Sequence, residues 1–430
     1  MSTAYLLMRL LFLFILLISA IQIKAVNYFV DPSSAATEEK GTMEAPWKSF
    51  EPLHKAMTSF RAGDTIFLKR GELFFEKLNL KCNGNASSPI VFTAYGEGKD
   101  RPIFMYKPPI SEKIKSEEFA IRIYKSSYIV FNNIDITDDH IDPNDHNVES
   151  LIKIAFAIDE SNHIVISHCN VSRVGIGVNI VGNDNSVESC NITNLRMVRN
   201  TQGGYDDYGA NAIVLAGERN QILNNYFKDC WAYSFDFDYD GGAIEVFGPQ
   251  SGNNRIIGNT IINCNGFMEF GSSEGGVNSN NLVSKNLVIN CGDLIYINND
   301  GPFSVKVEQL QLIENVVIQA IEQLTKPKHL ISMAKLSVEK EIIILKNNIF
   351  WLTIPVNIAK ASQLAGTQLT HTGNVYYMGG GVLNFTADRS EKMLKKDSLQ
   401  LRNSPLGEIL SLNMDFFPFK YLLRYWFLVS

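Results

Sequence analysis

The chain has 430 residues, of which 45% are hydrophobic and 20% charged, and its formal net charge is -6 at pH 7. This composition is ordinary for a soluble protein and is compatible with one elongated domain or with two globular ones. The negative balance excludes a general attraction to nucleic acid or to an anionic membrane, so neither is expected as a partner.

The first residues have the layout of an export signal. Arg9 is followed by the apolar run 10–21, which is too short to cross a bilayer comfortably. We predict that residues 1–25 are a signal peptide, which makes the mature protein secreted or periplasmic and without a stable membrane span. A retained amino-terminal anchor is the alternative, because Ile23 and Lys24 are larger than the residues usual at a cleavage site.

The next element is a predicted helix. Apolar residues fall at spacings of three and four from Trp47 through Phe50, Leu53 and Met57 to Phe60, as on one face of an amphipathic helix. The segments DTIFLKR and SPIVFTAYG that follow are typical of strands. The helix is therefore expected to cover the amino-terminal end of a stack of strands.

The centre of the chain carries a repeat with a period of 21 to 37 residues. An asparagine followed by a short apolar strand recurs, with further short strands before and after it and no helical periodicity between them. Three short strands per turn predict an all-β fold, a right-handed parallel β-helix, in which successive turns stack. The repeating asparagines are Asn133, Asn170, Asn191, Asn225, Asn259, Asn286, Asn315, Asn348 and Asn374.

This repeat predicts a single, monomeric domain over residues 26–430. We expect an amino-terminal cap and the first rungs at 26–110, the main coils at 111–390 and a carboxy-terminal cap at 391–430.

The asparagines and three of the cysteines are predicted to be structural. Asparagine tolerates the left-handed backbone of a sharp bend, and its amide can bond to its copy on the next turn. Cys230, Cys264 and Cys291 each follow a repeating asparagine by five residues. They therefore recur at one place in the coil and are expected to stack as buried thiols.

Two insertions between rungs are predicted to build the functional face, because the core strands are constrained by stacking. Residues 195–210 and 231–242 are rich in tyrosine and aspartate and poor in lysine. This composition suits the binding of sugar hydroxyls or of a cation, and it does not suit the binding of phosphate.

The strands after these insertions align on their apolar positions. The alignment places Val214, Glu245, Glu269 and Tyr296 in one column, so the two glutamates would lie one rung apart, roughly 4.8 Å. Neighbouring carboxylates repel unless they share a proton, bind a cation or take part in catalysis. The predicted catalytic residues are Asp240, Glu245, Glu269, Asp207 and Asp238, and the predicted sugar-contacting residues are Tyr205, Tyr208, Trp231, Tyr239 and Tyr296.

The segments YFVDPSS, APWKSFEPLHKA, AGDTIFLKRGE and PIVFTAYGEG resemble the start of exported, polysaccharide-acting proteins of the pectate-lyase-like superfamily. The resemblance extends from Tyr28 to about Asn374 and implies the right-handed parallel β-helix over most of the chain. It implies the chemistry less specifically, because this superfamily includes lyases, hydrolases, epimerases and proteins without known activity.

The segment GAIEVFGPQSGNNRIIGNTIINCNGFMEFGSSEGG is similar to the catalytic coils of chondroitinase B and related alginate lyases. In those coils acidic residues hold calcium, a lysine is the base and an arginine follows the next strand, so the resemblance implies a calcium ligand at Glu245. Pro249 stands in the region of the lysine and Gly271 in the place of the arginine. Arg255 and Lys285 are the nearest replacements in the sequence.

Paired carboxylates without that basic pair favour a glycoside hydrolase that cleaves a polysaccharide or oligosaccharide and requires no cofactor. The first alternative is a calcium-dependent polysaccharide lyase acting on uronic-acid polymers, in which Asp240, Glu245 and Glu269 would bind the ion. The second alternative is a non-catalytic surface β-helix that binds carbohydrate.

Overall fold

The computed structural model describes residues 25–105, 117–138, 142, 145, 148–320, 329–335, 342–360, 369–384 and 386–394. The predicted signal peptide, apart from its last residue, and the predicted carboxy-terminal cap from residue 395 onward lie outside the described residues. In the part of the chain that the structure describes, no helix is long and apolar enough to cross a membrane.

Three long parallel sheets surround one apolar core. From Thr65 to Ala359 each turn of the chain adds one strand to sheet 1, then one to sheet 2 and one to sheet 3. The fold is the predicted all-β, right-handed parallel β-helix. Alternate side chains of each strand point into the core, which gives burial patterns such as that of Thr65–Lys69, where Ile66 and Leu68 are buried.

The strands of the three sheets have the following bounds. Sheet 1 contains 12 strands: Asn27–Val30, Thr65–Lys69, Ile90–Tyr95, Ser127–Asn132, Asn162–Ser167, Ser186–Glu188, Gln221–Leu223, Arg255–Ile257, Leu282–Ser284, Leu310–Ile313, Ile343–Lys346 and Leu369–Thr372. Sheet 2 contains 12 strands: Leu73–Phe74, Ile103–Met105, Asp135–Thr137, Asn170–Ser172, Asn191–Thr193, Tyr226–Lys228, Thr260–Ile262, Leu287–Ile289, Val316–Gln319, Ile349–Leu352, Val375–Met378 and Lys392–Leu394. Sheet 3 contains 10 strands: Leu78–Leu80, Glu117–Tyr124, Ile152–Asp159, Ile176–Val181, Asn211–Ala216, Gly242–Phe247, Gly266–Gly271, Asp293–Ile297, His329–Met333 and Asn357–Ala359.

Short elements lie outside the three sheets. Two antiparallel hairpins precede strands of sheet 3, and a short parallel pair lies before sheet 1. Their strands are Met197–Arg199 with Tyr208–Gly209, Ala232–Ser234 with Asp238–Asp240, and Val277–Ser279 with Lys306–Glu308. The helical elements are the α-helix Phe50–Ala56 and the 3-10 helices Met57–Ser59 and Gly301–Phe303.

The predicted helix covers the first rungs, as expected from its apolar spacing. Phe50 and Leu53 are buried, and the ring of Phe50 stacks on Phe74 and Phe104 with centroids 5.4 and 5.5 Å apart. The first rung begins earlier than the sequence indicated, because Asn27–Val30 pairs in parallel with the strand that starts at Thr65.

A ladder of buried asparagine amides lines the bend between sheets 1 and 2. From Asn259 onward, the side-chain oxygen of each member accepts hydrogen bonds from the backbone N–H and the Nδ2 of the member one turn earlier. Asn286 donates both to Asn315, at 3.0 and 2.9 Å. Nδ2 also donates to a main-chain carbonyl, as Asn286 does to Ile256 at 2.9 Å. The members are Asn225, Asn259, Asn286, Asn315, Asn348 and Asn374.

This ladder is shorter than the predicted repeat. Asn170 pairs with Asn191, and Asn191 pairs with Tyr226, so both lie one position after the ladder. Cys190 takes the ladder position on its turn and donates its backbone N–H to Asn225 at 2.9 Å. The prediction of nine equivalent asparagines was therefore wrong for three of them: Asn133, Asn170 and Asn191.

The left-handed residue of this bend is the one before each ladder asparagine. Asn224, Lys285 and Glu314 have φ values of 54°, 58° and 58°, whereas the ladder asparagines that follow them have negative φ. The expectation that the ladder residues themselves adopt the left-handed conformation was wrong. Their function is the amide ladder, and the residue before them makes the turn.

All six cysteines are buried free thiols. The thiol of Cys264 contacts those of Cys230 and Cys291 on the neighbouring turns, and burial raises the pKa of the Cys264 and Cys291 thiols. The predicted thiol stack is confirmed. Such thiols pack as small apolar side chains.

The ladder ends on a carboxylate. Asn374 donates Nδ2 to Oε1 of Glu391 at 2.7 Å, and the Tyr376 hydroxyl contacts the same oxygen at 2.9 Å. The side chain of Glu391 has no solvent exposure, and its other oxygen lies 2.9 Å from Nδ1 of His371. Glu391 thus takes the place of the next asparagine.

Candidate active site

A column of outward-facing residues crosses the middle of sheet 3. Val214 pairs with Glu245, Glu245 with Glu269, and Glu269 with Tyr296 on successive turns. The alignment made from the sequence is therefore confirmed in register. The residues on either side of Glu245 in its strand are buried, whereas Glu245 is only half-buried, so it faces away from the core.

Glu245 carries a carboxyl group that resists ionisation. Asn211 donates Nδ2 to its Oε2 at 2.7 Å. Burial and, to a smaller extent, the charges of Glu269 and Asp240 together raise the pKa of Glu245 to about 8. A protonated carboxyl keeps one acceptor oxygen and gains a donor, so the bond from Asn211 leaves the other oxygen to carry the proton.

Glu269 lies one strand further along the same face. Asn298 donates Nδ2 to its Oε1 at 2.7 Å. Burial raises the pKa of Glu269, the hydrogen bond from Asn298 lowers it, and the charge of Asp293 raises it. Because the pKa of Glu245 is raised to about 8, Glu245 is the better candidate for the protonated member of the pair and Glu269 for the carboxylate.

Asp240 ends the second hairpin and precedes the strand that carries Glu245. It is half-buried, and its Oδ1 accepts the backbone N–H of Gly241 at 2.7 Å. Burial raises the pKa of Asp240 to about 7; the Gly241 bond opposes this, and the charges of Glu269 and Asp207 add to it. Asp240, Glu245 and Glu269 thus form one electrostatically coupled group.

Asp293 is a fourth acid of this group that the sequence reasoning missed. It begins the strand after that of Glu269 and pairs with Gly266. Burial raises its pKa to about 7, while the Ser332 hydroxyl at 3.4 Å and the charge of Lys360 lower it. The alignment that paired Tyr296 with Glu269 also pairs Asp293 with Gly266, so the signal was present in the sequence.

Asp207 holds the two hairpins together. Its carboxylate accepts the Thr201 N–H at 2.7 Å, the Ser234 hydroxyl at 2.7 Å and the Asp236 N–H at 3.0 Å. Burial works against ionisation, but these bonds lower the pKa of Asp207 below its ordinary value. The carboxylate of Asp207 is thus occupied by hydrogen bonds within and between the two hairpins. Asp238 is exposed, in the second strand of its hairpin.

One trio of acids has the spacing of a cation site. Asp206, Asp207 and Asp236 can each place an oxygen within 4.8 Å of the others, and among the described residues no other trio does so. Arg199 pairs with Asp206 at 2.6 Å, and the oxygens of Asp207 accept the bonds given above. The residues predicted to bind calcium in a lyase, Asp240, Glu245 and Glu269, are not the members of this trio.

The aromatic residues predicted to contact sugar surround the hairpins. Tyr205 is 77% exposed and its ring centroid lies 6.4 Å from that of Phe237. Trp231 meets Tyr239 edge to face at 5.7 Å, and Tyr208 is exposed. Tyr296 is separate from these four residues, because it lies in the acid column next to Glu269.

The basic residues suggested as lyase replacements lie elsewhere. Arg255 is in a strand of sheet 1, and Lys285 lies at the bend between sheets 1 and 2, where it is 3.9 Å from Glu314. Pro249 lines a shallow depression of about 370 Å³ at the corner between sheets 3 and 1. Neither Arg255 nor Lys285 belongs to the face that carries Glu245.

Comparison with known proteins supports the fold. A family described as "right handed beta helix region" matches residues 154–326. No curated protein matches the sequence.

Several solved structures are similar to this chain. GH136 lacto-N-biosidase from Eubacterium ramulus has a TM-score of 0.51 at 12% identity, covering 88% of this chain and 69% of the enzyme. Pectate lyase Pel9A has a TM-score of 0.46 at 14% identity, covering 89% and 85% of the two chains. Alginate lyase from Paenibacillus sp. str. FPU-7 has a TM-score of 0.42 at 14% identity, covering 78% and 96%.

At such identities a structural likeness shows the fold alone, and only the first TM-score of these three is high enough to carry that argument. The family match lies on the central coils, which contain both hairpins, the acid column and most of the asparagine ladder. The chain has the fold of a right-handed parallel β-helix protein.

Proposed function

We propose that this protein is a glycoside hydrolase that cleaves a polysaccharide or oligosaccharide, with Glu245 as the general acid and Glu269 as the nucleophile or base. The observation that carries the proposal is the coupled pair of half-buried glutamates on adjacent strands, each held by an asparagine amide. The lacto-N-biosidase with the same fold also supports a carbohydrate substrate. Secretion or periplasmic export and a monomeric state are part of the proposal.

The two glutamates divide the chemistry according to their surroundings. Glu245 holds its proton near neutral pH and gives it to the glycosidic oxygen as the carbon–oxygen bond breaks, which is the role of a general acid. Glu269 meets the anomeric carbon, or takes a proton from the water that attacks it. Adjacent parallel strands are about 4.8 Å apart, close to the roughly 5 Å between the carboxyl groups of retaining glycosidases.

The first experiment is to incubate the protein with a panel of neutral and uronate-containing glycans and to measure new reducing ends. Glu245→Gln and Glu269→Gln are expected to lower kcat by about 10²- to 10⁴-fold with unchanged folding, because each removes one proton-transferring or attacking group. Glu188→Gln, at an outward position of sheet 1, is the matched control and should keep wild-type turnover. If Glu245→Gln and Glu269→Gln also keep wild-type turnover, the assignment of these two glutamates as catalytic residues is wrong.

The two alternatives give different results in the same assay. A calcium-dependent lyase would produce unsaturated, ultraviolet-absorbing sugars, and a chelator would abolish the activity. The positions of Arg255 and Lys285 on other faces weigh against it, because β-elimination needs a base beside the uronate. A non-catalytic binding protein would bind glycans without releasing reducing ends, and Glu245→Gln would not introduce any turnover or abolish the binding.

A further inference from the structure

Two glycines lie beside the acid column, of which Gly266 is partly exposed and Gly242 is buried. Gly242 pairs with Asn211 at one end, Gly266 pairs with Asp293 at the other, and the two glycines are neighbours on adjacent strands. This strip, Asn211–Gly242–Gly266–Asp293 across four strands, is called the glycine trough. Three strand spacings separate its ends, which is roughly 14 Å.

The backbone dihedrals do not demand glycine at either of these positions. Neither Gly242 nor Gly266 has the left-handed φ that favours glycine. A Cβ on Gly266 would lie 3.3 Å from the carbonyl oxygen of Asp293, and one on Gly242 would lie 3.2 Å from the carbonyl oxygen of Gly266, so either neighbour would have to move by a few tenths of an ångström. Gly241 is different, because its φ is 102° and a Cβ there would lie 2.6 Å from Ala210.

A glycine inside a strand weakens the sheet, since it costs conformational entropy and packs no side chain. Two adjacent glycines without a left-handed backbone therefore indicate a place where a ligand can approach the backbone closely. The polar groups around the trough are suited to a sugar. Glu245 and Glu269 follow the two glycines by three residues, and Asp240 precedes Gly242 by two.

We propose that the glycine trough is the subsite that holds the sugar ring at the bond being cleaved, and that Asp293 closes it by hydrogen-bonding a ring hydroxyl. This inference rests on the proposed hydrolase function and goes further by naming the residues that define its central subsite. A sugar ring that lies against Gly266 would have its glycosidic oxygen near the two glutamates, which follow Gly242 and Gly266 by three residues in each strand.

Asp293 is suited to that contact. It is half-buried, and its Oδ2 accepts the Ser332 hydroxyl at 3.4 Å, so its other oxygen can bond a sugar hydroxyl. Its raised pKa of about 7 lets the carboxyl act both as donor and as acceptor near neutral pH. Because Asp293 touches the substrate in this arrangement, its loss should raise KM more than it lowers kcat.

The test compares Gly266→Ala, Gly266→Val and Asp293→Ala with the wild type on the glycan that the wild type hydrolyses. The two glycine variants should lose kcat/KM progressively, by about tenfold or more for valine, while the melting temperature stays equal or rises because valine favours strands. Asp293→Ala should raise KM by about tenfold. Ala216→Val, which adds a branched side chain to the same face away from the trough, is the matched control.

The outcomes separate this inference from the proposed function. Wild-type kcat/KM in Gly266→Val would overturn the subsite and leave glycoside hydrolysis intact. If Gly266→Val lowers the melting temperature, Gly266→Ala and Asp293→Ala are the decisive variants. Wild-type kinetics in both of them would overturn the proposed subsite. A wild-type protein that hydrolyses no glycan would refute the proposed function and this inference together, whereas equal losses in Ala216→Val would show a general effect of bulk on the sheet.

Discussion

Glu245, Glu269, Asp240 and Asp293 lie close together on a half-buried face, where each raises the free energy of ionising its neighbours. Burial is the largest cause of the raised pKa at all four positions. Charges placed in this way destabilise the fold and are typical of sites where proton transfer is useful. Asp207 shows the contrary case, because its hydrogen bonds lower its pKa and bind two hairpins together.

The raised pKa of Glu245 predicts a pH-dependent effect on stability. The folded protein binds this proton more tightly than the unfolded chain, whose ordinary value is 4.5, so the contribution to stability is full below pH 4.5 and falls as pH rises toward about 8. Glu245→Gln should therefore raise the melting temperature above pH 8 and change it little below pH 4.5. Melting curves of both proteins at the two pH values, with Glu188→Gln as control, measure this.

The carboxyl group of Glu245 also governs the pH dependence of turnover. Activity should decline as pH rises through about 8, because the general acid loses its proton.

A difference in melting temperature between wild type and Glu245→Gln that is equal at both pH values would contradict the assignment of the raised pKa.

At the scale of the elements, the strands and the acid column could be predicted from the sequence, whereas the details of the bends could not. Glu245 and Glu269 were aligned through the alternating apolar residues of their strands. Because those apolar residues must face the core, the two strands can pair in only one register. Asn170 and Asn191 resemble the ladder asparagines in sequence, but a shift of one position takes them out of the ladder. Spacing alone does not distinguish these cases.

The hairpins were missed for a different reason. Residues 195–210 and 231–242 were predicted as insertions, and each of them folds into an antiparallel hairpin within itself. The position of each hairpin depends on contacts with the other. Asp207 of the first hairpin accepts bonds from Ser234 and Asp236 of the second. Contacts between separate segments of irregular sequence are not visible in either segment alone.

The asparagine ladder predicts a large and local effect of substitution. Asn286→Ala removes the amide that donates to Asn315 and Ile256 and that accepts from Asn259, and it leaves their buried groups without partners. We expect a loss of about 3 kcal/mol or more in the free energy of unfolding. Asn191→Ala, at an exposed position outside the ladder, should cost about 1 kcal/mol or less. Urea unfolding of both variants compares them, and equal losses would contradict a special role for the ladder.

At the scale of the whole molecule, stacked turns replace disulfides as the source of stability. The six cysteines are buried and unpaired, although an exported protein could form disulfides. The coil buries continuous columns of apolar side chains, so each turn is stabilised by the two beside it.

This arrangement predicts the behaviour of the thiols. In the native protein none of the six cysteines should react with a disulfide reagent, and all six should react after denaturation. A reductant should not change the melting temperature. Rapid reaction of a native thiol would show that the thiol stack is accessible to the reagent. A lower melting temperature in reductant would show that a disulfide forms.

The end of the ladder at Glu391 gives the coil an electrical polarity. Every ladder amide donates one Nδ2 hydrogen toward the next turn and the other to a main-chain carbonyl of an earlier turn, so one chain of amide hydrogen bonds runs in a single direction and ends at Nδ2 of Asn374. The carboxylate of Glu391 accepts the last bond of this chain, as an acidic residue accepts N–H groups at the start of an α-helix. The final described turns are thus closed by an electrostatic cap, and the direction of the amides determines which end of the coil needs it.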